Sequence, residues 1–319
     1  MAQTMPDPDA SRKPVHSPGH SSARPRPRRL WLFLPYIAVA VLAAAGAFGW
    51  LKAKVELQAG LDRRAQALRA EGYVLSWTAE RIDGFPFRLD LTLDQPRFAD
   101  RTGWALAAPQ IKGEAYAYAP DRWIFVAPQG FALTRPGKGT LQATGQAIRA
   151  SVSGLGSATP RLSFQGIKLT FTPSPSSAPP LVASADLLEM HLQPGPDDQA
   201  ALLVKLDGGR SLTGANNALQ ILWHSRLSRL SQISGPDWPS AVRHWISAGG
   251  VLSVDQAELD LGGLKLNAMP TPLTVGMDGH LQGALAVSVA PGKRTAMLNF
   301  QNGLTTLGPV VLGPAPRVF

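Results

Sequence analysis

The spacing of apolar residues changes along the chain, and each change marks an element. From Leu30 to Leu51 the run is unbroken, twenty-two residues without a charge. At a rise of about 1.5 Å per residue, a helix of that length crosses a hydrocarbon core roughly 30 Å thick, with the Trp31 and Trp50 indoles expected at its two edges. Leu57, Leu61, Ala65 and Leu68 then return at helical spacing. Residues 52–72 therefore read as a stalk helix that continues the span, with Gly72 placed to end it.

At Tyr73 the period drops to two: Tyr73, Leu75, Trp77 and Ala79 alternate with other residues. After a turn near Asp83-Gly84, the residues Phe85, Phe87, Leu89 and Leu91 are expected on one side of a strand, with Arg88, Asp90, Thr92 and Asp94 on the other. That greasy face is the candidate ligand surface, and Phe87 is expected to be buried in it. Pro86 has no N–H to donate and belongs at an edge or a strand start. Strand-like runs recur at about ten-residue spacing from Trp104 to Phe171, and again over 181–206 and 250–300, punctuated by Gly, Pro and Asp. No helical patterns intervene that could carry parallel crossovers, so residues 73–319 read as a mainly β domain, an antiparallel meander or sandwich-like fold with one or two short helices.

Interruptions qualify that picture. The Pro/Ser-rich run over residues 172–180 is either a long loop or a seam between two halves. Leu219, Leu222, Leu227 and Leu230 suggest a partly helical segment. Residues 237–248 make a better helix: Asp237 can cap it, Pro239 suits its first turn, Val242, Trp245 and Ile246 share a face, and Gly249 ends it.

Residues 1–29, rich in Pro, Ser and Arg, are expected to be a disordered basic tail. Arg24, Arg26, Arg28 and Arg29 orient that tail toward the cytoplasm, so the bulk of the chain is expected to face outward. Ala45-Gly46-Ala47 resembles a signal-peptidase site. The apolar run is too long and lies too far from the start for an ordinary signal peptide, so a retained anchor over 30–51 is the expectation. The formal charge of +9 comes mostly from residues before Val55, which argues against a nucleic-acid surface. The chain has no cysteine, and so no disulfide and no thiolate metal site.

Candidate chemistry is thin. His16, His20, His191, His224, His244 and His280 make no ligand-spaced pair. Gly137-Lys138-Gly139-Thr140 lacks the earlier glycine of a phosphate loop, and Gly154-Leu155-Gly156-Ser157 lacks the third glycine of a dinucleotide site. Asp90 and Asp94 alternate with apolar residues, as on a solvated strand face. No catalytic residue, metal site or cofactor is expected, and the chain reads as no enzyme. The expected partners are the lipid bilayer through residues 30–51, a lipid or other apolar ligand on the Phe85–Leu91 face, and, as the alternative, a protein of the cell envelope for which the chain is a structural adaptor.

Gly84-Phe85-Pro86-Phe87-Arg88, following an anchor, a stalk and a Tyr/Trp strand, resembles the bacterial family catalogued as domain of unknown function 2125. Trp245 with Gly249-Gly250, the Leu259–Leu266 strand, Asp278-Gly279 with Gly283, and the closing Gly308-Pro309 and Gly313-Pro314 add to the likeness. The resemblance implies a single-span envelope protein of Gram-negative bacteria and assigns no activity. The Gly-Phe-Pro element and the repeated short strands are also loosely similar to AsmA-like envelope proteins, which would imply a lipid-conducting groove.

Overall fold

The computed structural model describes residues 30–157, 159–211, 218–290 and 294–319. The tail over 1–29, and the disorder expected of it, fall outside the described residues, as does the Trp31 side chain. One helix, α1, runs without a break from Leu30 to Ala70. The chain divides within that helix, into compact units of residues 1–45 and 46–319.

In the first unit every described side chain of α1 is exposed, including Phe33, Leu34, Ile37, Val39 and Leu42. The helix is long and apolar enough to cross a membrane. No helix boundary separates span from stalk at residue 51. The expected stop at Gly72 is present: Gly72 adopts φ 88°, its N–H donates to Arg69 O, and Tyr73 N–H donates to Leu68 O at 2.9 Å. That pair of bonds is a Schellman cap.

The second unit is an antiparallel meander that follows chain order. Its first passes are each broken in the middle, into β1 (Val74–Ser76) and β2 (Ala79–Asp83), β3 (Arg88–Asp94) and β4 (Arg97–Ala99), β5 (Ala105–Ala107) and β6 (Gln110–Tyr116), β7 (Ala119–Val126) and β8 (Phe131–Arg135), and β9 (Gly139–Thr144) and β10 (Ala147–Ser153). On one side of the breaks β2, β3, β6, β7 and β10 pair in turn, and on the other β1, β4, β5, β8 and β9 do so. Both series end on β11 (Arg161–Pro173), whose first half pairs with β10 and whose second half pairs with β9. Long passes follow as β12 (Val182–Pro194), β13 (Ala200–Ser211), β14 (Ala218–Leu227) and β15 (Leu252–Leu261). One further broken pass, β16 (Leu264–Ala268) with β17 (Thr271–Val275), leads to β18 (Leu281–Ala290), β19 (Arg294–Gln301), β20 (Leu304–Leu307) and β21 (Val310–Pro314).

The breaks lie side by side and form a fold line across the strands. Gln95 (φ 51°), Gly130 (φ 81°), Lys168 (φ 52°) and Gly208 (φ 57°) sit on it. Hydrogen bonds continue through it, from Gln95 N–H to Pro109 O at 2.8 Å and from Gln146 N–H to Ile167 O at 2.9 Å. Gly130 is required there, since a Cβ in its place would collide with the Ala143 carbonyl.

Strict alternation gives the sheet one apolar face. Across its width the register joins Ile82 to Leu91, Gly113, Phe125 and Ala150, then to Phe164, Met190, Val204, Trp223 and Ala257. The neighbouring positions one residue along carry Arg149, Gln165, Glu189, Lys205 and Glu258 on the other side. Two stretches of the apolar face are covered. The α1 residues Trp50, Ala53, Leu57 and Leu61 pack on Ile82, Leu89, Leu91 and Trp123. Farther along, Val242 and Trp245 of α2 (Trp238–Ser247) pack on Val275, Leu252 and Phe319.

Helix α2 forms where the sequence places it. Asp237 accepts the Ser240 N–H at 2.7 Å, and Gly249 (φ 79°) ends it. Two other expectations are corrected. Leu219 to Leu227 is strand β14, not helix: it is hydrogen-bonded to β13 and β15, and Leu219 and Leu222 face opposite sides. Phe85, Pro86 and Phe87 form a turn, and β3 begins only at Arg88, so Phe87 is 70% exposed instead of buried. Of the two readings of the 172–180 run, the loop is the one seen: Thr172 and Pro173 end β11, and the residues after them connect it to β12, its pairing partner, with Ala178 N–H bound to Lys138 O and Thr140 N–H to Ser177 Oγ.

Candidate functional site

Between its two covered stretches the apolar face stays open. There β10 to β13 present Val152, Leu162, Phe164, Met190, Leu192 and Leu202, each inward by the alternation just described. The far wall is built by the end of β14, the 3-10 turn Leu230–Gln232 and the start of α2, through Leu227, Leu230, Ile233 and Trp238. Together they enclose a groove of about 710 Å³. Leu162, Met190 and Trp238 remain 40%, 43% and 46% exposed, although each side chain is large and apolar or aromatic. Leaving apolar surface in water costs about 25 cal/mol per Å², so such a surface is a binding surface or a cost to stability.

The far wall is fixed by local hydrogen bonds. Leu230 N–H donates to Asp198 O at 2.9 Å, and the Asp198 carboxylate accepts from Ser231 N–H and Ser231 Oγ–H. The Trp238 indole N–H donates to Val318 O at 2.8 Å. Hydrogen bonds from Ser240, its hydroxyl first and then its backbone N–H, hold the capping Asp237 carboxyl below its usual range.

Two more cavities adjoin the β10–β11 turn. A cleft of about 490 Å³ lies at the strand ends, lined by Asp121, Arg122, Ser153, Ser157, Thr159 and Arg161. The second, also about 490 Å³, lies between the stalk part of α1 and the sheet, lined by Leu57, Leu61, Leu89, Trp123 and Leu155, with Arg63 and Arg64 at its rim. At that helix–sheet seam burial, and next the Asp62 carboxylate, push the Glu80 carboxyl above its usual range.

The residues singled out from the sequence do not assemble into one surface. Leu89 and Leu91 are 1% and 4% exposed and lie in the core beneath α1. Phe85 and Phe87 stand outside it on the turn, and Phe85 meets the Trp50 ring edge-on at 5.5 Å. Trp50 itself is 8% exposed, and its indole N–H donates to Arg88 O at 2.7 Å. It marks the place where α1 joins the sheet. Asp90 and Asp94 each hold an arginine, Arg88 at 2.9 Å and Arg81 at 3.2 Å, as on a solvated strand face. Gly137 to Gly139 and Gly154 to Ser157 are hairpin connections. His191 Nδ1 lies 3.0 Å from Ser163 Oγ across β11 and β12, on the polar face.

The groove was missed because its parts are scattered. The signal was present as period-two alternation in residues 148–152, 162–164, 188–192 and 202–206, but alternation alone does not say which stretch of a face remains open.

A family model described as an uncharacterized protein conserved in bacteria, DUF2125, matches residues 50–291. The match begins at Trp50, and the span before it and strands β19 to β21 lie outside. No curated protein and no solved structure matches the chain, so the looser likeness to AsmA-like envelope proteins finds no counterpart.

Proposed function

The chain belongs to the DUF2125 family of bacterial proteins, and from that premise we propose that it is a membrane-anchored, non-catalytic protein that holds a lipid acyl chain in the groove over β10 to β13. The observation that carries this reading is the open stretch of the apolar face between its two covered stretches, about 710 Å³ in volume with Met190 and Leu162 exposed inside it. Pockets for small ligands are concave, mostly apolar and on the order of 300–1,000 Å³. The anchor supports the choice of ligand, because a chain tethered by an apolar helix has hydrocarbon chains within reach. The arginine-rich run before the span supports a cytoplasmic N-terminus, an inner-membrane anchor and a β unit in the periplasm.

The test uses the full chain in detergent micelles and a fluorescent fatty acid as probe. Met190→Asp sets a carboxylate in the groove at a position open enough to keep the fold, and should abolish saturable binding. Thr170→Asp, on the opposite face of β11, should leave it intact. Equal binding by both variants and by the parent would place the probe elsewhere and refute the groove.

A second reading, an adaptor for another envelope protein, is favoured by the edge strand β21, where Val310, Val311 and Leu312 are 57%, 59% and 56% exposed. An exposed apolar edge offers unpaired N–H and C=O groups to an incoming strand. If this reading holds, Val311→Lys should abolish recovery of a partner crosslinked in living cells, and unchanged recovery would remove it.

A further inference from the structure

The uncharged run ends at Leu51, and its last residues, from Gly46 on, belong to the second unit. For a helix that crosses a bilayer with this run, the hydrocarbon edge falls close to Trp50, and Lys52 and Lys54, the first charges after it, stand at headgroup level. Trp50 does not face that boundary, because its ring is buried against the sheet. Its neighbours are left to do so. Its N–H donates to Arg88 O, the Phe85 ring meets it edge-on, and Lys54 Nζ lies 5.4 Å from its ring centre.

Two turns of the sheet lie side by side at this spot, residues 84–87 between β2 and β3 and residues 117–118 between β6 and β7. Tyr116 is paired with Arg88, and Ala117 N–H donates to Phe87 O at 2.9 Å. The aromatic side chains here, Phe85, Phe87, Tyr116 and Tyr118, are each more than half exposed, and the two tyrosines stack with ring centres 5.0 Å apart. Beyond Leu51, no other Phe, Tyr or Trp among the described residues is as exposed. Apolar side chains scattered singly over a surface need no explanation, but four aromatics gathered where the span ends do.

We propose that these two turns dock into the interface of the bilayer that α1 crosses, with Phe85 and Phe87 among the upper acyl chains and Tyr116 and Tyr118 at headgroup level. A tyrosine ring buries in hydrocarbon while its hydroxyl stays hydrated, the combination enriched where membrane meets water. Docking gives the β unit a second hold on the membrane besides α1. The proposal rests on the anchor and is independent of the groove.

The chain has no cysteine, so one introduced thiol carries one label. Tyr118→Cys and, for reference, Thr170→Cys at an exposed position of β11 are each labelled with a polarity-sensitive fluorophore. The full chain is then reconstituted into vesicles of phosphatidylglycerol and phosphatidylcholine that carry a nitroxide on the upper part of one acyl chain. The label at 118 should emit at shorter wavelength and be quenched by the nitroxide, and the label at 170 should show neither effect. Adding Phe87→Asp to Tyr118→Cys should abolish both effects while leaving the near-UV circular dichroism in detergent unchanged. Quenching at 118 that survives Phe87→Asp, or a label at 118 as wet as the one at 170, would overturn docking. A label wet in vesicles but shielded in native membranes would also overturn it and assign the turns to a protein partner. Failure of the chain to float with the vesicles would overturn the anchor itself, and docking with it.

Discussion

Replacing Trp50 by alanine separates two readings of the same residue, because an indole at a membrane edge and an indole in a protein core have different energetic consequences. The side chain is 8% exposed and packs with Ile82, Leu89, Leu91 and Trp123. Truncating an aromatic in such a place costs about 3–5 kcal/mol, through lost transfer energy and the cavity left behind. The hydrogen bond from its N–H to Arg88 O, at 2.7 Å and part-buried, contributes about 1 kcal/mol more. Trp50→Phe keeps most of the ring and loses the donor, so it should cost roughly 1–2 kcal/mol. A domain with a net stability of about 5–15 kcal/mol loses a large share of it in the first variant and a modest share in the second. Urea unfolding of the full chain in a mild detergent, followed by near-UV circular dichroism, measures both midpoints. A midpoint for Trp50→Ala equal to the parent's would refute the reasoning and return the indole to the bilayer edge. The same argument predicts that a soluble fragment starting at Val55 unfolds more readily than one starting at Gly46, because only the longer one keeps Trp50 and Ala53.

Further substitutions test other parts of the account. Leu89→Ala, at a site 1% exposed, should cost about 2–5 kcal/mol, whereas Phe87→Asp, on the turn and 70% exposed, should change stability by no more than about 0.5 kcal/mol; thermal melts of the pair decide whether the strand starts at Arg88. Asp237→Ala removes the α2 cap and should cost about 1 kcal/mol at neutral pH. Since hydrogen bonds from Ser240 depress the Asp237 carboxyl in the folded state, its contribution is complete above the ordinary aspartate range and is lost as pH falls through the depressed value. The stabilities of parent and variant should therefore converge in strong acid, and a gap that widened there would contradict the cap. Gly130→Ala, at φ 81° and facing the Ala143 carbonyl, should destabilise the fold line and lower the melting midpoint; an unchanged midpoint would show that the line relaxes freely.

What the sequence reveals follows from how local each signal is. Helix α2 could be read from Asp237, Pro239 and Gly249 because caps act within a few residues of one another. The meander could be read from alternation, since each strand carries its own period, and the chain-order pairing followed from the absence of crossover helices. The strand at Ala218–Leu227 was misread because four leucines at irregular spacing imitate a helical face, while Leu219, Ile221 and Trp223 keep the true period of two. Phe85 and Phe87 misled for the opposite reason: they extend the alternation of Leu89 and Leu91 by chance through a Gly-Phe-Pro-Phe turn. Trp50 could not be placed because its acceptor, Arg88 O, lies 38 residues away. Neither could the groove, whose walls come from four consecutive passes and from a 3-10 turn after β14. The cleft depends on register, since only the shared pairing with Ser153 brings Arg122 and Arg161 together.

The most direct test of the central claim is to purify the full chain from bacterial membranes in a mild detergent, extract it with organic solvent, and quantify phosphorus and fatty acid against protein. The account predicts phospholipid at a fixed molar ratio near one in the parent, reduced to the detergent background in Met190→Asp. The same lipid content in both proteins, at background or above it, would contradict the groove.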